Sequence, residues 1–178
     1  MKSTIQLSLL LLTLVSFNLA AQTQTCETNV LKKAPASRFI VNIDSNGVPD
    51  GTVSDRQTGL MWAQCAQGLR GPLCGNGDLK TLNWSSALNE TRATSDRLER
   101  NDWRLPNIKE LQTLVERRCT FPAVNLMVFL NTSPVVFWSA SPVTNDESSA
   151  WGVNFTFGSV TENGRSDGRN VRLVRGGQ

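Results

Sequence analysis

The spacing of apolar residues changes twice along the chain, from strand-like alternation to helical spacing and back. Strand-like runs separated by turn residues come first, two helical segments lie between residues 83 and 117, and strand-like runs return after residue 134. The predicted strands are residues 38–43, 52–55, 60–63, 135–140, 151–157 and 170–175. Short strands, two helices and more strands indicate a single α+β domain.

Both predicted helices begin at an asparagine. Asn83 is an N-cap candidate for the first helix, which is expected to end between residues 89 and 98. Asn107 caps the second, and Glu110 three residues later completes a capping-box pattern. Pro106 favours an extended conformation just before this cap. Apolar residues at helical spacing predict that the second helix runs to about residue 117: Ile108, Leu111, Leu114 and Val115.

The apolar positions in the last third of the chain predict which side chains face the core. Residues 151–157 alternate so that one side carries Trp151, Val153, Phe155 and Phe157. Residues 158–168 are expected to form a turn region, and residues 121–130 a packed irregular segment. The tryptophans are expected to pack in the core rather than to stack on sugar rings: they lie at positions 62, 84, 103, 138 and 151.

The first 21 residues have the pattern of a secretory signal peptide. Lys2 precedes an apolar stretch from Leu9 to Val15, and small residues before Gln22 allow cleavage near Ala21. Residues 22–37 are polar and predict an extended segment held at Cys26, and the domain is expected to cover residues 38–178. No later stretch has the length of a membrane span, so we expect an exported protein that is secreted, periplasmic or on the cell surface.

Four cysteines in an exported chain favour disulfide bonds over a metal site. Cys65 and Cys74 flank a short loop rich in glycine, where a local bridge has a small entropic cost. That bridge leaves Cys26 to pair with Cys119, and this arrangement is favoured over the two other pairings. The cysteine spacings do not suit zinc.

Histidine and tyrosine are absent, which excludes catalytic triads, Cys–His dyads and His-ligated metals. The formal net charge of +3 does not indicate nucleic-acid binding. Residues 44–51 place Asp44 and Asp50 in a weak calcium-loop pattern, but flanking strands favour a hairpin turn. We therefore expect no enzymatic activity, no cofactor and no bound metal.

The arginines near the C-terminus are the strongest candidates for ligand binding, because arginine recognises sulfate and carboxylate groups in a bidentate manner. Arg172 is expected to point away from the Val171 and Leu173 face, and a solvated strand with local ion pairs is the alternative. The candidate residues are Arg165, Arg169, Arg172 and Arg175. A salt-bridged helix surface is expected for another group: Arg104, Lys109, Arg117 and Arg118.

Six ordered sequence blocks resemble the C-terminal domain of the Legionella collagen-like adhesin. They include residues 51–62, 103–111 and 121–125, followed by residues 137–141, 151–155 and 171–176. The resemblance implies an exported bacterial protein with a fold related to that of C-type lectins, in which two helices pack against small antiparallel sheets. It also implies a role in adhesion, in which a basic surface binds sulfated polysaccharide. Calcium-mediated sugar binding is not expected, because residues 105–107 and 101–103 depart from the lectin calcium motifs.

The leading hypothesis is an exported, non-enzymatic module that binds extracellular or surface polysaccharide. The alternative is a structural subunit of a pilus or surface complex that binds protein. An enzyme of the formylglycine-generating branch of this fold would need free reactive cysteines. The resemblance also leaves open a homo-oligomer, although no coiled-coil pattern is present to drive one.

Overall fold

The computed structural model describes residues 23–90 and 102–176. Nine strands, a 3-10 turn and two α-helices occur in these ranges. In chain order they are β1 (Thr25–Cys26), the 3-10 turn (Ala36–Arg38), β2 (Phe39–Ile43), β3 (Pro49–Asp55), β4 (Met61–Ala63), α1 (Trp84–Asn89), α2 (Ile108–Gln112), β5 (Cys119–Thr120), β6 (Val136–Val143), β7 (Asp146–Asn154), β8 (Ser159–Gly164) and β9 (Val174–Arg175). The predicted signal peptide lies outside the described residues.

Three antiparallel sheets supply most of the regular secondary structure in the described ranges, within the broad α+β class. The largest has the strand order β2-β3-β4-β9, so the end of the chain joins a sheet begun near its start. The second is the meander β6-β7-β8, and the third is the short pair β1-β5. No helix in the described ranges has the length and apolar character needed to cross a membrane.

The caps of both helices are where the sequence predicts them. The Asn83 side chain accepts from the Ser86 backbone N–H at the start of α1. Asn107 and Glu110 form the reciprocal capping box of α2. The extension of the first helix beyond residue 90 falls on residues that the structure does not describe.

The second helix is shorter than predicted, because it ends at Gln112 and not near residue 117. After Gln112 the backbone hydrogen bonds span three residues, as in a 3-10 helix; for example, the Thr113 N–H donates to the Glu110 carbonyl. Val115 then pairs with Val124, and the Glu116 N–H donates to the Ala123 carbonyl. The apolar spacing persists because these residues still face the core, but their backbone bonds go to the irregular segment.

The end of the chain departs from the prediction in two ways. Residues 158–168 are not only a turn, because β8 pairs with β7 along its whole length. This strand is at the edge of its sheet and partly exposed, so its sequence lacks an apolar alternation. The predicted alternation at 151–157 fails at Phe157, which lies beyond the end of β7 and is 62% exposed.

The core consists of two clusters of buried side chains. Trp62 belongs to the larger cluster, whereas Trp103 and Trp138 belong to the smaller one beside α1. All three are almost fully buried, which confirms the prediction for them, while Trp84 and Trp151 are half-buried. The segment 121–130 is irregular and packed, as predicted.

Both predicted disulfide bonds are present: Cys65 bonds to Cys74, and Cys26 bonds to Cys119. The N-terminal segment has more fixed points than the single cysteine that the sequence predicts. The Gln24 amide donates to the carbonyls of Pro122 and Val124, and the backbone N–H of Ala34 donates to the Glu116 carboxylate. These contacts fix the segment against residues 116–125.

Candidate ligand-binding surfaces

Arg172 does not face solvent, so its expected orientation is wrong. Its side chain is almost completely buried, and its guanidinium donates to the carbonyls of Ala63 and Gln64 and to the Thr132 hydroxyl. The guanidinium carbon also lies 5.0 Å from the centre of the Phe129 ring. Burial lowers the pKa of Arg172 to about 9, so the group keeps its charge at neutral pH. A ligand at the surface therefore cannot reach it.

The reason for this burial is that residues 170–174 are enclosed by other chain segments on two sides. The N–H groups of Gln67 and Ala63 donate to the Val171 and Leu173 carbonyls. On the other side, Arg104 and Val174 exchange two backbone hydrogen bonds. Val171, Arg172, Leu173 and Val174 are consequently all buried, so alternation cannot separate an inner from an outer face.

Arg175 is held by an acid and by a core tryptophan. Its Nη2 lies 2.8 Å from a carboxylate oxygen of Asp102, and its guanidinium carbon is 6.0 Å from the Trp103 ring centre. The partner of Arg175 is therefore an acid that is distant in sequence, and this pair is not the local one that the alternative interpretation predicts.

Arg169 is paired with an acid close to it in sequence, as the alternative interpretation predicts. Its Nη2 lies 2.8 Å from an Asp167 carboxylate oxygen, and its Nε donates to the Asn163 side chain at 3.2 Å. Backbone bonds between Arg169 and Leu82, one in each direction, hold this residue beside the strand-like entry to α1.

Arg165 is stacked on an aromatic ring. Its guanidinium carbon lies 4.4 Å from the centre of the Trp84 ring, while its Nε donates to the Ser149 carbonyl at 3.1 Å. The indole of Trp84 is fixed in turn by donation to the Ser139 carbonyl. Among the described residues, no hydrogen-bond partner occupies the terminal Nη groups of Arg165.

Two of the four predicted arginines therefore lie on one surface, and two do not. The backbone N–H of Trp84 donates to the Arg165 carbonyl, and Leu82 pairs with Arg169, so both arginines flank the start of α1. We call this the Arg165 surface, and it comprises Trp84, Arg165, Asp167 and Arg169.

A second surface, which the sequence analysis missed, is a cleft of about 420 Å³ beside the Cys26–Cys119 disulfide. We call it the basic cleft. Its lining residues are Gln24, Cys26, Lys32, Ala36, Glu116, Arg118, Cys119, Asn125, Leu126, Met127 and Leu130. Within the described ranges, neither Lys32 nor Arg118 has an acidic partner for its side chain.

A signal for this cleft exists in the sequence. The dibasic pair Lys32-Lys33 follows Cys26 closely, and the pair Arg117-Arg118 directly precedes Cys119. The predicted disulfide brings the two pairs into the same region. The expected salt-bridged helix surface holds at Arg104, whose guanidinium pairs with both Glu110 oxygens. Arg117 and Arg118 lie beyond the end of α2 and make no ion pair with a described acid.

The loop 44–51 is a hairpin turn, as predicted. It joins β2 to β3, and Ile43 pairs with Pro49. Asp44 accepts from the backbone N–H groups of Val48 and Asn46, and these bonds lower its pKa. No group of three or more potential metal-ligating side chains was found in the described ranges.

All four cysteines are in disulfide bonds. A mechanism of the formylglycine-generating type, which needs a free reactive pair, has no thiol available in this state.

Comparison with known proteins completes the description of the chain. No curated protein matched it. The family model described as the Lcl C-terminal domain matches residues 51–175, from the third residue of β3 to the end of β9. The match includes both helices, the Arg165 surface and the Arg118 side of the basic cleft. Because it covers more than half of the chain, the protein belongs to the Lcl C-terminal domain family.

Proposed function

We propose that this chain is an exported, non-enzymatic adhesion domain that binds extracellular or cell-surface polysaccharide, with sulfated chains as the ligands to test first. Membership in the Lcl C-terminal domain family supports a surface adhesin-related role. Two disulfide bonds fit an extracellular or surface location. Export after cleavage near Ala21 and a fold related to C-type lectins are parts of the same proposal.

The observation that carries the proposal is the fixed geometry of Arg165. Stacking on Trp84 and the Nε bond to Ser149 fix the guanidinium, so little side-chain entropy remains to be lost on binding. Its terminal nitrogens are the two that would contact a sulfate or carboxylate in a bidentate manner. The neighbouring Arg169 supplies a second positive charge, partly balanced by Asp167.

Retention on a heparin column across a sodium chloride gradient tests this proposal. We expect the wild-type protein to be retained at low salt and the Arg165→Ala and Arg169→Ala double variant to elute earlier. The matched control is Arg56→Ala, because Arg56 is exposed in the turn between β3 and β4, outside the Arg165 surface. A wild-type protein that is not retained at low salt, or a double variant that elutes with the wild type, would contradict the proposal.

A second candidate function is a structural subunit of a surface or pilus complex that binds protein. An exposed aromatic pair favours it: the rings of Phe121 and Phe157 meet edge to face at 5.1 Å, and both are substantially exposed. Such apolar exposure is common at protein interfaces. A glycan array distinguishes the two candidates, because a subunit of this kind would bind no glycan. In a pull-down from the native envelope, the Phe157→Ser variant of such a subunit would be recovered in the complex in smaller amounts than the wild type.

A further inference from the structure

The polar side chains that line the basic cleft are mostly used within the protein. Gln24 donates to two carbonyls, and Asn125 donates to the Ala34 carbonyl while it accepts from the Met127 N–H. Glu116 accepts from the N–H groups of Lys33 and Ala34 through its two carboxylate oxygens. The cleft therefore offers a ligand few free hydrogen-bonding groups other than its cations.

The cleft combines two cations with apolar side chains. Lys32 and Arg118 line the cleft and have no acidic partner among the described residues. Leu126, Met127 and Leu130 form the apolar part of the lining, and Met127 is 82% exposed. A ligand that fits this arrangement has an apolar group next to one or more negative charges.

We propose that the basic cleft binds a short extended peptide segment of another protein, in which an apolar side chain is adjacent to acidic residues. The apolar side chain packs on Met127, Leu126 and Leu130, and the acidic groups pair with Lys32 and Arg118. The volume of about 420 Å³ is within the range of small-ligand pockets and accommodates a few residues. Charge complementarity between these two cations and the acidic groups sets the orientation of the peptide.

Two other ligand classes fit the cleft less well. No aromatic residue lines the cleft, so a sugar ring would find no stacking face. The amide NH2 groups of Gln24 and Asn125 already donate to backbone carbonyls, which leaves mainly the two cations as donors to the hydroxyl groups of a neutral sugar. The apolar lining consists of only a few side chains, which is too short to remove a long acyl chain from water. A peptide with adjacent acidic and apolar side chains matches the two cations and the small apolar surface of the cleft. This inference does not depend on polysaccharide binding at the Arg165 surface.

Amide chemical-shift changes in the 15N-labelled protein test the proposal with a synthetic probe, acetyl-Leu-Asp-Leu-Glu-amide. We expect the probe to shift amides in residues 24–36 and 118–130. Two control peptides, acetyl-Leu-Asn-Leu-Gln-amide and acetyl-Ser-Asp-Ser-Glu-amide, each lack one of the two features and are expected to bind at least about tenfold more weakly. The same spectra report whether each variant is folded.

Single substitutions locate the site. Lys32→Glu is expected to weaken binding of the probe about tenfold, and Met127→Ser by a smaller factor of about fivefold. The matched controls lie at exposed positions outside the cleft: Lys109→Glu makes the same charge change, and Leu73→Ser makes a comparable change from an apolar side chain to serine. These controls are expected to bind the probe like the wild-type protein.

Several results would overturn the proposal. They are the absence of shifts in the cleft, equal binding of the neutral peptide, or an equal loss in Lys109→Glu. A heparin tetrasaccharide that shifts the same amides and displaces the probe would identify the cleft as a polysaccharide site instead. The two proposals can fail independently of each other. In a Lys32→Glu background, the Arg165→Ala and Arg169→Ala substitutions are expected to shorten heparin retention as much as they do in the wild-type protein.

Discussion

The two basic regions of this protein differ in how the fold uses their charges. Residues 165–175 carry four arginines close together in sequence, yet one is buried, two are paired with acids and one is stacked on a tryptophan. The basic cleft gathers Lys32 and Arg118 from distant parts of the chain, and no described acid pairs with their side chains. Charge density along a sequence is therefore a poor guide to charge available at the surface, since the fold neutralises or buries neighbouring residues.

Removal of the Cys26–Cys119 disulfide is the largest perturbation we expect on the cleft side. The bond closes a loop with a sequence separation of 93 residues, for which the chain-entropy estimate is about 4–5 kcal/mol of unfolding free energy. The double variant Cys26→Ser and Cys119→Ser should lose roughly this amount in urea unfolding monitored by tryptophan fluorescence. The matched control removes Cys65–Cys74, whose separation of 9 residues gives about 2–3 kcal/mol. An equal loss in the two double variants would show that the N-terminal segment is held mainly by its other contacts.

On the other side of the comparison, Arg172→Ala tests whether this arginine stabilises the fold and takes no part in binding. It removes a buried side chain and leaves the acceptors of Ala63, Gln64 and Thr132 without their donor, which should cost about 3–4 kcal/mol. Arg172→Met keeps most of the volume and should cost less. Chemical unfolding gives both values, and heparin retention of the folded Arg172→Met variant should equal that of the wild type. Reduced heparin retention of that variant would show that Arg172 takes part in binding.

Arg38 is a second buried arginine and can be compared with Arg172, because Arg38 has an acidic partner, Asp55, whereas Arg172 has only neutral acceptors among the described residues. Burial alone would raise the pKa of Asp55, but hydrogen bonds from Arg38, the Thr58 hydroxyl and the Gln57 N–H outweigh it, so the pKa is lowered. A lowered folded-state pKa stabilises the protein above the ordinary carboxyl pKa, and the stabilisation is lost as the pH falls through the folded value.

Asp55→Asn should therefore cost about 2–3 kcal/mol at neutral pH, because it replaces the charge-assisted hydrogen bonds from Arg38 with weaker ones to a neutral amide. It should also flatten the loss of stability on acidification below about pH 4. Urea unfolding of the two proteins at several pH values from neutral to acidic measures both effects. Parallel stability curves would show that Asp55 does not contribute to acid sensitivity.

The smallest expected effect concerns the acid beside the Arg165 surface. Hydrogen bonds from Ser148 and Ser149, with a smaller contribution from Arg165, lower the pKa of Asp146 to about 2, so it is charged under all ordinary conditions. Asp146→Asn removes a negative charge close to Arg165 and should lengthen heparin retention slightly. Glu147→Gln makes the same charge change at the adjacent exposed position and serves as the control. Shorter retention of Asp146→Asn would indicate that this carboxylate positions Arg165 and does not repel the ligand.

Sequence analysis predicted those features of the fold that depend on local interactions. Helix starts at Asn83 and Asn107 follow from side chains that bond to backbone three residues away. The same analysis missed β8, because an exposed edge strand needs no apolar alternation. It also placed the end of α2 too late, because the residues after Gln112 keep a helical apolar spacing while their backbone bonds to a distant segment.

By itself, the sequence determined the family, the two helix caps and the partners of both disulfide bonds. Only the tertiary structure decided that Arg172 is buried and that Lys32 and Arg118 line one cleft without an acidic partner among the described residues. The physical reason is the separation along the chain of the residues that interact. A cap or a short loop is decided by neighbouring residues, whereas the exposure of an arginine depends on which chain segments pack on both sides of it.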